Sequence, residues 1–203
     1  MLRVQVSERV KLTVQRWGVL AAIAPDQFLK RILSSRGYST DMMPALSSPY
    51  RQKPTEKQME DYDSELVKAV RCSDLDTIKS LRNIGRSMTA CNRFGESIVH
   101  MACRRADFEV VDFLLENIGD VWGVDDFGRT PLHDACWRPE PRFDIVTCLL
   151  DKNLHLLRVL DVRGANPLNY VREEHWTQWC AYLFHQKERY WRPVNEAFAK
   201  QII

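Results

Sequence analysis

The sequence predicts an all-α fold: a solenoid of about four helix-turn-helix units, two clear and two degenerate caps, behind an N-terminal extension that is part helical and part extended. Three observations predict it. First, "FGESIVHMAC" (residues 94–103) and "FGRTPLHDAC" (residues 127–136) are self-similar and lie 33 residues apart, a period that marks repeat architectures. Second, each is followed by apolar residues at i, i+1, i+4 and i+5: Val110, Val111, Leu114 and Leu115, then Ile145, Val146, Leu149 and Leu150. That spacing is one face of a helix. Third, Thr130-Pro131 is a helix-start pair, Thr as N-cap and Pro at the first helical position.

In chain order, residues 1–38 form the extension. Val6, Val10, Val14 and Trp17 fit a helical face, while Leu2, Val4 and Val6 alternate as in a strand. "PDQFLKRILSSRG" predicts a helix near 25–36: Pro25 suits the first turn, Phe28, Leu29, Ile32 and Leu33 make the stripe, and Gly37 stops it. Residues 39–61 read as a Pro/Ser-containing extended connector closing on a capping box, Thr55-x-x-Gln58. The repeat domain is placed at 62–192, with units of about 63–91, 92–124, 125–160 and 161–191, and a tail at 193–203. The 125–160 unit is longer than the one before it, and the excess falls in "WRPEPRF". The outer units keep fragments of the pattern. Leu66, Ala69, Ile78 and Leu81 stand in the first. Gly164, Pro167 and Leu168 stand in the last, with Asn166 for Thr and Asn169 for His. Degenerate ends are expected, because one face of a terminal unit lacks a neighbour.

The chain resembles the ankyrin-repeat family, whose hallmark is T-P-L-H-x-A in a unit of about 33 residues. Thr130, Pro131, Leu132, His133 and Ala135 match it completely; Ser97, Ile98, Val99, His100 and Ala102 match it loosely. The resemblance implies a non-enzymatic protein–protein interaction module that binds a partner through hairpin tips and the concave face. It implies the variable positions as the site: Arg93, Phe94, Glu96, Arg104, Arg105, Asp126, Phe127, Arg129, Trp137 and Arg138. Phe94 and Phe127 have two readings, a partner contact or stacking on each other across adjacent tips. The arginines favour a partner that is acidic where it touches.

Net charge is +2, divided as +5 over residues 1–60 and −3 over 61–203. That is too weak for a nucleic-acid face. The apolar run "WGVLAAIA" is too short to span a bilayer. Six cysteines without a C-x-x-C pair read as reduced core residues of an intracellular protein, cytoplasmic or nuclear. Import into an organelle is the alternative, on the basic front and "RGYS" at 36–39. No phosphate loop, nucleophile elbow or H-E-x-x-H motif is present, so no catalytic residue and no cofactor is expected. Oligomeric state stays open. The rival function is a zinc protein or enzyme built on His100-x-x-Cys103 and His133-x-x-Cys136. Geometry argues against it: packed helices lie about 10 Å apart, and zinc needs its ligands within about 2.0–2.3 Å. The crowded aromatics of the last helix, Trp176, Trp179, Tyr182, Phe184, Tyr190 and Trp191, read as a seal on the end of the stack, with a partner groove as the other option.

Overall fold

The computed structural model describes residues 23–118 and 123–194. The readings for residues 1–22 and for the tail beyond Val194 lie outside the described residues. In chain order the elements are α1 (Pro25–Ser35), β1 (Met43–Pro44), α2 (Glu56–Asp61), α3 (Ser64–Arg71), α4 (Leu75–Asn83), α5 (Ile98–Arg105), α6 (Phe108–Asn117), α7 (Pro131–Cys136), α8 (Phe143–Lys152), β2 (Val159–Leu160) and α9 (Trp176–Tyr190). Single 3-10 turns occur at Ala45–Ser47, Leu154–Arg158, Pro167–Tyr170 and Glu173–His175. The fold is the expected helical repeat solenoid. The chain divides into two compact units, Met42–Tyr170 and a smaller one from the residues on either side of it.

In the larger unit, α3, α5 and α7 are the first helices of successive repeats, and α5 packs against both neighbours. α4, α6 and α8 are the second helices; α6 packs on α5 and α8 on α7. The apolar stripes read from the sequence form the core. Leu66, Ile78, Val111, Leu114, Leu132, Ile145, Val146 and Leu149 are fully buried, and Val99 is 2% exposed. Small residues at the helix contacts, Ala69, Ala102, Cys103, Ala135 and Cys136, are also buried and let the first helices approach closely. The helix starts of α2, α3, α4, α5 and α7 are capped by side chains. Asp63 accepts from Leu66 N (2.9 Å), and Asp74 from Thr77 N (3.0 Å). Thr55 and Gln58 form the predicted capping box.

The 161–191 unit departs from a helix pair. Its first helix is one 3-10 turn, Pro167–Tyr170, and the chain beyond Tyr170 belongs to the smaller unit. The connector also gains structure. β1 pairs in parallel with β2, Met43 opposite Val159 and Pro44 opposite Leu160, and Ala45 is buried with Val124 and Val159.

The smaller unit is built on α1 against α9. The predicted stripe Phe28, Leu29, Ile32 and Leu33 is buried, as are Trp179, Tyr182, Leu183 and Trp191. Beyond α1 the chain turns at Gly37 (φ +80°). Arg36 pairs with Glu188 and donates to Trp191 O (2.7 Å). Three of the six crowded aromatics, Trp179, Tyr182 and Trp191, are thus buried inside this unit, and Trp176, Phe184 and Tyr190 are half-buried.

Candidate partner-binding surface

Three hairpins punctuate the larger unit, at Asn92–Glu96, Asp125–Arg129 and Asp161–Ala165, built from one plan. The carboxylate or amide oxygen of the leading residue accepts two main-chain N–H groups. Asn92 Oδ1 takes Phe94 N (2.9 Å) and Glu96 N (3.1 Å). Asp125 Oδ1 takes Phe127 N (3.0 Å) and Arg129 N (2.8 Å). Asp161 Oδ1 takes Arg163 N and Ala165 N (both 2.8 Å). Asn and Asp suit such turns because their short side chains mimic a backbone acceptor. A glycine three residues on, at φ of +77°, +76° and +75°, completes each reversal. Neighbouring tips are tied by main-chain bonds: Asp126 N donates to Phe94 O (2.8 Å) and Val162 N to Phe127 O (2.9 Å).

This scaffold presents six of the ten expected site residues to solvent: Arg93, Phe94, Arg105, Asp126, Phe127 and Trp137. Phe94 is 50% exposed, Phe127 46% and Trp137 46%. The two phenylalanines do not stack on each other. Each ring lies under its own arginine, with Arg93 Cζ 4.6 Å from the Phe94 centroid and Arg129 Cζ 5.2 Å from that of Phe127.

The other four engage the protein itself. Arg129 forms a fork with Asp125 Oδ2, 2.7 Å from Nε and 2.6 Å from Nη2. Glu96 binds Arg104 and accepts from Asn92 Nδ2 (3.0 Å). Arg104 also lies 3.7 Å from the carboxylate of Asp134 in the next repeat. Burial of Asp134 raises its pKa, opposed by the Arg104 guanidinium. Arg138 Nη1 donates to Cys103 O (3.1 Å) and Ala106 O (3.0 Å), closing the C-terminal carbonyls of α5 from the following repeat. A clue to this was available. "MACRRADF" has no glycine after the helix, so its last carbonyls need a donor from elsewhere.

The His-x-x-Cys pairs are part of the same framework. His100 Nδ1 accepts from Ser97 N (3.2 Å), and its Nε2–H donates to Arg129 O in the next hairpin (2.8 Å). His133 repeats this, accepting from Thr130 N (3.0 Å) and donating to Ala165 O (3.3 Å). Both bonds require the neutral Nε2–H tautomer. Burial agrees, pushing His133 down to about 4. Cys103 and Cys136 are buried, with their thiols well above the ordinary range because burial disfavours the thiolate. Among the described residues, no group of three or more His, Cys, Asp or Glu is placed to hold a metal ion. No described helix is long and apolar enough to cross a membrane.

A search of curated proteins returns no match to the chain. The family described as ankyrin repeats (3 copies) matches residues 66–161, from α3 to β2 with the first two hairpins and the His100 bridge. Residues 66–161 are ankyrin repeats.

Proposed function

We propose that the repeats bind another protein across the hairpin tips and the exposed ends of the first helices. Ankyrin repeats are generally protein–protein interaction modules, and the family is typically non-enzymatic. The observation that carries the proposal is the pair Phe94 and Phe127. Both are half-exposed at equivalent positions of adjacent tips and are held there by the Asp126–Phe94 main-chain bond. Trp137 adds a third exposed aromatic. Rigid aromatic and arginine side chains dominate binding hot spots, because they bury much area at small entropy cost.

Glu96, Arg104, Arg129 and Arg138 serve the site by positioning. The exposed charges that remain are Arg93, Arg105 and Asp126, a net positive set that favours a partner acidic where it touches. An intracellular setting, cytoplasmic or nuclear, fits six free cysteines, four of them buried. Affinity purification with mass spectrometry, comparing the intact chain with Arg105→Ala/Trp137→Ala and with Phe94→Ala/Phe127→Ala, tests the surface. The variants should lose the same set of proteins at unchanged helicity. Hot-spot truncations of about 2 kcal/mol correspond to roughly 30-fold in Kd. Retention of that set by both variants overturns the assignment.

A further inference from the structure

The segment Met43–Gln58 crosses the larger unit in the reverse order of its repeats and meets three of them at one equivalent place. Pro44 pairs opposite Leu160. Tyr50 O accepts from Val124 N, and Gln58 O accepts from Cys91 N (both 3.1 Å). Leu160, Val124 and Cys91 are the residues immediately before Asp161, Asp125 and Asn92, so each contact sits at the root of a hairpin.

Side chains anchor the segment at few points. Ala45 is 1% exposed, seated with Val124 and Val159, and Met43 and Tyr50 pack beside them. Ala45 lies over Gly128, where an added Cβ would come within 3.0 Å of the alanine methyl. Tyr50 Oη accepts from Asn153 Nδ2 (3.1 Å). Ser48 Oγ donates to Ala45 O (2.6 Å) and shapes the turn between the anchors. Around them Pro44, Leu46, Ser47, Pro49, Arg51, Gln52 and Lys53 are exposed. Apart from the 3-10 turn Ala45–Ser47 and the start of α2, the segment is non-helical, as proline at 44, 49 and 54 favours. An extended chain held by main-chain bonds, with alternate side chains in small pockets, is how proteins bind peptides along a backbone edge.

We infer that the hairpin roots form a track for an extended, proline-containing segment, and that Met43–Gln58 occupies this track in cis. Release of the strap opens the track to a like segment in trans, with a small residue at the place of Ala45 and an aromatic at that of Tyr50. The inference uses residues distinct from the exposed tip set and stands apart from it.

Two experiments on the full chain test it. In native-state hydrogen exchange, the amides of Cys91 and Val124 should open together, at least tenfold faster than the core amides of α5 and α7, because the carbonyls they bond belong to the strap. Equal protection would make the strap part of the repeat core and end the proposal. In the second, a labelled synthetic peptide of residues 42–60 is titrated onto wild type and onto Ala45→Asp/Tyr50→Ala, which releases the strap. The peptide should bind the variant at least tenfold more tightly than wild type, and a peptide carrying Ala45→Asp should bind neither. Equal binding to both proteins, or none to a variant of normal helicity, overturns the inference. Should the variant lose its helicity, the exchange result alone decides.

Discussion

The third repeat and the segment after it begin alike and end differently. Both open on an Asp-led hairpin with a glycine near φ +75°, and both continue into a helical segment that starts Pro-Leu. In the third, His133 Nδ1 accepts from Thr130 N. In the next, Asn169 Oδ1 accepts from Asn166 N (2.9 Å), the same local bond with a shorter side chain. The histidine has a second end, and its Nε2 reaches Ala165 O in the following hairpin. Asparagine has no group there. α7 is followed by its partner α8, whereas the last unit has a single 3-10 turn, with Tyr170 edge-on to His133 (5.3 Å) and donating to Asp161 (2.6 Å). An interior repeat needs a two-ended residue at this position, and the closing turn needs only the local half.

The sharpest break of that contrast is His133→Leu. It leaves the buried Thr130 N–H without its partner and takes from Ala165 O one of two donors, the other being Asp161 N, a loss of about 2 kcal/mol. Asn169→Leu leaves only one donor and should cost about 1 kcal/mol. Urea denaturation followed by circular dichroism reads both, and equal losses would refute the two-ended role. Acid acts on the same bridge. The folded-state pKa of His133 is about 4, below the ordinary 6.5 of the unfolded chain. The unfolded chain therefore binds the proton first. The contribution of His133 is complete above pH 6.5 and declines toward pH 4, by at most about 1.4 kcal/mol per pH unit. His133→Asn should flatten that slope in denaturation at stepped pH.

A smaller effect separates the two hairpins by their surroundings. At Gly164 an added Cβ meets nothing within 4 Å, whereas at Gly128 it meets Ala45 at 3.0 Å. Alanine in the left-handed region costs about 1–2 kcal/mol. Gly164→Ala should therefore cost about 1 kcal/mol, and Gly128→Ala should exceed it. Equal shifts in thermal midpoint would mean that the strap yields freely at Ala45. Least of all, Asn169→His should change stability by less than about 0.5 kcal/mol. No further hairpin follows Tyr170 among the described residues, so its second nitrogen has no carbonyl of that kind to meet.

Much of this was legible in the residues. The period, the Thr130-Pro131 helix start, the stripes from Val110 and Ile145, the α1 stripe and the Thr55–Gln58 box all depend on neighbours within a few positions. The structure repeats them at the same numbers. Half-exposed Phe94 and Phe127 follow from the same register. The fate of the arginines was not legible. Arg138 and Arg105 look alike in the sequence, yet Arg138 closes a helix 32 residues upstream while Arg105 faces solvent. The prolines of the connector predict an extended chain, but its seat on Val124 and Val159 leaves no local pattern.

Local chemistry thus settled the repeat, its register and its helices, because backbone capping, glycine turns and helical periodicity act between residues a few places apart. Only the stacked chain decided which arginines stay free, which histidine end finds a carbonyl, and where Met43–Gln58 lies. Those choices depend on donors and acceptors that folding brings together from positions about thirty to more than one hundred residues apart.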